Sequence, residues 1–424
     1  MAGTDLENPR AQGVPLPTEL ATKIIAIVED GHHSKHHQRG PSPLADIALV
    51  SHTWNAVCRL HMFHTVTLYS DTVYSRLSFI HFQAPHLSQY IRELYFQPSA
   101  AERIASKAEW FPACFARFDN LDKIRFENCC KGPLSAASLA AFAAPQRLRK
   151  LDIYGWKFAG VYDFLSMLPP TLEELRLDEV KFDSSQRNAA RRDLELKAPR
   201  IPGVRLDALR TIELHRGQHS ILATPHLIEC PNLARLFVIC SSTTQVQLPP
   251  WIPTSLPELV LSVGHGSIIP DFGTDLQPSS VTIYPSCGHG SEYLNHFTCA
   301  RECIEGLPYP HAIQTLTILI EFEHFWGPLE ESFPALSDYE MLSQLVCHLR
   351  ESEQGSCLQS IVLVIKISTS PIPGKRPYDG HQVRELAKLE KGFARLVEAN
   401  VLTADLTLES EDSEPYMRCK IRRV

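Results

Sequence analysis

The chain has 424 residues, with 41 Lys+Arg against 48 Asp+Glu, 44% hydrophobic and 21% charged residues. Such a balance supports a sizeable core and excludes a disordered chain, a collagen and a disulfide-stapled miniprotein. A net charge of −7 argues against a nucleic-acid surface, which needs a basic excess. Prolines number 31, about 7% against a usual ~5%, so the fold is interrupted often.

No stretch reaches the ~18 apolar residues of a membrane span. The longest run, Ile361 to Ile367, is broken by Lys366. The N-terminus has no basic region followed by an apolar one, so no signal peptide is expected. The twelve cysteines lack framework spacing and are expected to be reduced thiols, some of them in the core (Cys240, Cys347). The expected compartment is cytoplasmic, and a nuclear pool is compatible with the short basic tail from Arg418 to Arg423.

Val14-Pro15-Leu16-Pro17-Thr18-Glu19-Leu20 leads into an amphipathic helix with an apolar stripe at 20, 24, 27 and 28, opened by proline. A polar segment follows, with His32, His33, His36, His37 and the breaker Gly40-Pro41. Helical spacing resumes at 44, 47, 50, 54, 57 and 58, and Leu60 to Tyr69 passes from helix to strand alternation. Short helices of this size cannot bury every apolar position among themselves. Leu16, Leu20, Leu49, Val50 and Trp54 are therefore expected to leave an exposed stripe of the kind that marks a partner site.

This succession resembles the F-box: Leu-Pro-x-Glu-Leu, two isoleucines, Ala-Leu-Val-Ser-x-x-Trp, then Leu-x-x-Phe and a strand, over 13–69. The resemblance implies docking to a Skp-type adaptor, and through it to a cullin-based ubiquitin ligase. By match, the docking residues would be Leu16, Pro17, Leu20, Ile24, Leu44, Leu49, Val50 and Trp54. The His-rich insertion at 31–43 is longer than the usual connection between the first two helices. The alternative is a plain helical cap on whatever follows.

From about residue 70 a short strand pattern preceded by Leu-x-x recurs. Examples are Leu121-Asp-Lys-Ile124-Arg-Phe126, Leu148-Arg-Lys-Leu151-Asp-Ile153 and Leu172-Glu-Glu-Leu175-Arg-Leu177. The central positions fall at 94, 124, 151, 175, 212, 236 and 259, which is 30, 27, 24, 37, 24 and 23 residues apart. Most lie in or near the 20–29 residue period of leucine-rich repeats, whose Leu-x-x-Leu-x-Leu signature they share. Looser copies follow at Val281, Leu316, Ile361 and Leu406. The expected fold class is α/β: an N-terminal helical F-box-like module (13–69), then an irregular leucine-rich-repeat solenoid with a parallel sheet (70–424). Helices at 339–351 and 381–399 are expected to precede the last two strands. An open doubly wound α/β domain over 100–424 is the alternative.

Within each strand, Leu, Ile or Phe alternates with Arg, Glu, Asp or Thr, so one face is core and the other solvent. Alternation turns Tyr95, Arg125, Asp152, Arg176, Glu213 and Phe237 outward, along with Glu93. Stacked, they form an extended surface suited to binding a protein substrate. A solvated face is the alternative for any one of them.

Candidate chemistry is sparse. Cys287, His289, Cys299 and Cys303 offer soft ligands within a short stretch, but the spacings are not a familiar zinc pairing, and core cysteines are the alternative. No hydrolase, zincin, Walker-type or dinucleotide motif is present. Gly264-His265-Gly266-Ser267 follows a strand, and Pro270 keeps a helix from starting after it. The expectation is a non-enzymatic chain with no cofactor and no metal, and with neither nucleic acid nor membrane as partner. By resemblance to the fungal-type F-box family, it would recruit a protein substrate to a ligase. The rival expectation is a repeat-based interaction scaffold without a ligase role.

Overall fold

The computed structural model describes residues 19–25, 44–101, 110–128, 140–158, 164–165, 167–182, 204–215, 228–240, 251–264, 276–286, 296–307, 310–322, 344, 357, 360–367, 403–411 and 414–422. Its dominant element is a 13-stranded sheet. The strands in sheet order are β1 (Thr65–Leu68), β2 (Glu93–Phe96), β3 (Lys123–Glu127), β4 (Lys150–Tyr154), β6 (Glu174–Asp178), β9 (Thr211–Leu214), β11 (Arg235–Ile239), β12 (Glu258–Gly264), β13 (Ser280–Ser286), β14 (Thr315–Phe322), β15 (Ser360–Ile367), β17 (Glu414–Arg422) and β16 (Thr403–Glu411). Up to β15 every neighbouring pair is parallel and sheet order follows chain order. A doubly wound sheet would reverse its order at a switch point. None occurs in this run, so that alternative is set aside.

The register explains the alternation. Leu94, Ile124, Leu151, Leu175, Ile212, Leu236, Leu259, Val281 and Leu316 are successive Cα partners, one per strand, and all are buried. A second buried row runs through Phe96, Phe126, Ile153, Leu177, Leu214, Val238, Leu261, Ile283 and Ile318. The leucine three positions ahead of each centre (Leu121, Leu148, Leu172, Leu209, Leu233) is buried as well, which is why the Leu-x-x prefix recurs. One carbonyl before each early strand accepts two N–H groups from the next unit. Arg92 O takes Asp122 and Lys123, Asp122 O takes Arg149 and Lys150, and Arg149 O takes Glu173 and Glu174. A unit of this kind has no core of its own and closes only against its neighbours.

The core is aromatic at its first strands. Phe126 lies 5.0 Å from Phe96, 4.8 Å from Phe142 and 4.7 Å from Trp156, ring centre to ring centre. The short helix Phe111–Phe115 supplies Phe111 and Phe115 to the same cluster. Two small parallel pairs lie outside the main sheet, β5 (Lys157–Phe158) with β7 (Lys181–Phe182), and β8 (Val204–Arg205) with β10 (Ile228–Glu229).

Several expectations are corrected. β1, placed with the helical module by sequence, is the first strand of the sheet, and Leu68 belongs to the main core. The strand around Leu406 does not extend the parallel series. The basic tail forms β17, which inserts antiparallel between β15 and β16. The solvent face also ends early, because Val260, Thr282 and Val362 are buried although they follow the outward row. In β12, β14 and β15 the apolar runs 259–261, 318–320 and 361–365 replace the alternation, as sheets covered on both faces require. The helices expected at 339–351 and 381–399 lie outside the described residues, apart from residue 344, which is helical. No helix among the described residues is long and apolar enough to cross a membrane.

Candidate functional site

Two surfaces stand out. The first is formed by α1 (19–25), α2 (Leu44–Ile47) and α3 (His52–Met62). Ala21, Ile25, Leu44, Val57 and Cys58 make a small core separate from that under the sheet, with Ile47, Ala48, Trp54 and Met62 packed on it. Ser51 caps α3, its Oγ accepting the Trp54 N–H at 3.3 Å. Asn55 Nδ2 donates to the Ala48 carbonyl at 3.2 Å and ties α3 to the turn after α2.

The inward face of α1 is therefore the 21/25 pair, and the 20/24 pair looks outward. Leu20 is 48% and Ile24 42% exposed, while Leu49 and Val50, in the turn after α2, are 82% and 71% exposed. These belong to the expected docking set. Leu44 does not remain in it, because at 3% exposure it is a core residue of the module. Trp54 is half-buried against that core, so its ring supports the module and is not simply part of an outer stripe. Leu16, Pro17 and the histidines of 31–43 lie outside the described residues.

The second surface is the outward face of the sheet. Tyr95, Arg125, Asp152, Arg176, Glu213 and Phe237 are consecutive Cα partners on β2, β3, β4, β6, β9 and β11, one continuous row. Its charges are largely paired. Lys123 Nζ lies 3.0 Å from Asp152, and Arg176 Nε lies 3.6 Å from Glu213. The row before it repeats the scheme with Lys150–Glu174 at 2.9 Å and Arg235–Glu258 at 3.4 Å. Arg125 carries no ion pair among the described residues, and its guanidinium sits 4.8 Å from the Tyr95 ring centre. Pairs this exposed contribute little stability, but they hold side chains in place.

Beyond the central row lies one that the strand pattern did not single out. Glu127, Tyr154 and Asp178 are register partners at the carboxyl ends of β3, β4 and β6. Glu127 accepts the Tyr95 hydroxyl at 2.6 Å. Buried His215 places Nδ1 3.5 Å from Asp178 and Nε2 3.6 Å from Glu213. The His215 ring 3.6 Å away, reinforced by Arg176, holds the Glu213 carboxyl below the usual range against the opposing effect of burial. Arg125, Glu127, Asn128, Asp152, Tyr154, Arg176 and Asp178 line a cavity of about 280 Å³. Continuing the alternation two residues past each outward residue would have found this row, as Glu127, Tyr154 and Asp178 follow Arg125, Asp152 and Arg176 at that interval.

Cys303 is buried on the helix His296–Glu305, which also carries Cys299, while Cys287 and His289 lie outside the described residues. No group of three or more His, Cys, Asp or Glu among the described residues is placed to hold a metal. Cys240 is buried, as expected. Gly264 ends β12, and the rest of its Gly-His-Gly-Ser run is outside the described residues. No family model and no curated protein matches the chain.

Proposed function

We propose that the chain is a substrate-recruiting adaptor of a Skp–cullin–F-box type ubiquitin ligase. Its helical module would act as an F-box-like docking unit, and the strand array as a degenerate leucine-rich-repeat surface for a protein substrate. The observation that carries this is the display of Leu20, Ile24, Leu49 and Val50 on a module whose own core closes without them. Large aliphatic residues exposed on so small a module cost solubility and give it no folding benefit, so a partner is the economical account. Ubiquitin transfer itself would belong to other subunits.

The test is co-expression with a Skp-type adaptor, followed by co-purification of wild type, Leu49→Glu/Val50→Glu and Leu20→Glu/Ile24→Glu. These positions lie outside the module's core, so the variants should fold while losing the adaptor, since central apolar anchors each contribute about 2 kcal/mol or more. A wild type that does not bind the adaptor defeats the proposal and leaves a repeat-based scaffold with a helical cap.

A further inference from the structure

The cavity at the carboxyl ends of β3, β4 and β6 has the chemistry of a receptor for a cation on a side chain. Its row reads acid, aromatic, acid: Glu127, Tyr154, Asp178 on adjacent strands. Neighbouring strands stand about 4.8 Å apart, so the two carboxylates bracket the tyrosine ring by about 10 Å. Asp178 is only 8% exposed, and its Oδ1 finds no hydrogen-bond partner among the described residues, while Oδ2 faces His215. A buried carboxylate oxygen left without a donor is costly, and such groups are normally satisfied. The two arginines at the rim are drawn elsewhere, Arg125 onto the Tyr95 ring and Arg176 toward Glu213. Asp152, between them, is occupied by Lys123.

We infer that this cavity receives an arginine or lysine side chain of a protein partner, its charged head held between Glu127 and Asp178 over the Tyr154 ring. The volume of about 280 Å³ falls short of the ~300–1,000 Å³ of sites for drug-sized ligands and suits one side-chain head group. A cation over a tyrosine face between two carboxylates combines ring attraction with charge-assisted hydrogen bonds. The inference deepens the proposed role of the strand array in recruiting a substrate, and rests on the array being the partner-binding part of the chain.

The experiment uses the full chain and three probes: N-acetyl-arginine amide, N-acetyl-lysine amide and N-acetyl-citrulline amide, titrated by ligand-observed NMR. Saturable binding of the arginine or lysine probe is expected, with citrulline, which keeps the shape without the charge, at least about tenfold weaker, a difference of ~1.4 kcal/mol. Asp178→Asn and, separately, the more exposed Glu127→Gln should each weaken the cationic probe by a similar factor. Equal binding of citrulline, unchanged binding in both variants, or no saturable binding to wild type overturns the inference. Adaptor co-purification with Glu127→Gln, run alongside, should match wild type, so failure of the cavity and failure of the ligase role are separable.

Discussion

Asn128 and Gly155 stand side by side at the carboxyl ends of β3 and β4, and the Asn128 Oδ1 occupies the space that a Cβ on Gly155 would need. Both residues are left-handed, at φ 46° and 64°, and so is Glu179 at φ 50° one strand further on. Each follows its strand by one position. The turn is tied across the stack, with Asn128 N donating to Tyr154 O and Gly155 N to Asp178 O, each at 2.8 Å. Backbone conformation and close approach thus both demand glycine at 155. Gly155→Ala is expected to lower stability by about 1–3 kcal/mol, the usual cost of a strained backbone position. Adding Asn128→Ala should recover the steric part, and a urea-denaturation cycle giving strict additivity would refute the contact.

Ile25 and Leu49 belong to one helical module but should behave oppositely. Ile25 is fully buried, and truncation to alanine should destabilise the module by about 2–5 kcal/mol. Leu49→Ser, at an exposed turn, should stay within about 0.5 kcal/mol. Thermal denaturation of the two variants checks this. A large loss in Leu49→Ser would mean that its side chain is needed for folding and is not free for a partner.

Glu213 links the sheet's outward face to pH. Its carboxyl is held low first by the adjacent His215 ring and further by Arg176. A lowered folded value means that the unfolded chain takes up the proton more readily. The stabilisation is therefore complete above the ordinary glutamate value near ~4.3 and is lost as pH falls through the folded value. The stability gap between wild type and Glu213→Gln should be widest at neutral pH and close in acid, as read from urea midpoints. A gap that widens in acid would contradict the pairing.

The thiols sort by burial. Cys114, Cys230 and Cys240 are buried, and desolvation pushes each up to about 12. Only the thiolate is nucleophilic, so these groups should resist a thiol reagent in the native protein and react on unfolding. Exposed Cys357 should label before these buried thiols. Mass mapping after a short iodoacetamide pulse distinguishes the classes, and early labelling of Cys240 would argue against the packing of β11.

The strand array was legible because its signal is local and repeated. Ile124, Leu151, Leu175, Ile212, Leu236 and Leu259 were placed by alternation alone, and they became Cα partners as a single register-locked row. A slip by one residue would turn every such strand inside out, so the apolar pattern and the register are one constraint. The outward residues followed from the same arithmetic. The row Glu127, Tyr154 and Asp178 escaped notice because a polar residue at a strand end looks like loop until its neighbours stand beside it.

By itself, then, the sequence determined the strands of the main sheet as far as β15, their order of stacking and, up to β11, which face packs, since a two-residue period needs no distant information. Tertiary structure alone decided the rest. On α1, Leu20 and Ile24 have the same helical spacing as Ala21 and Ile25, and only the position of Leu44, Val57 and Cys58 settles which pair is buried. Likewise, Val260 and Thr282 continue a row that faces solvent further up the sheet, and they are buried because their face is covered there. Periodicity sets the direction of a side chain, whereas burial depends on what the rest of the chain brings against it.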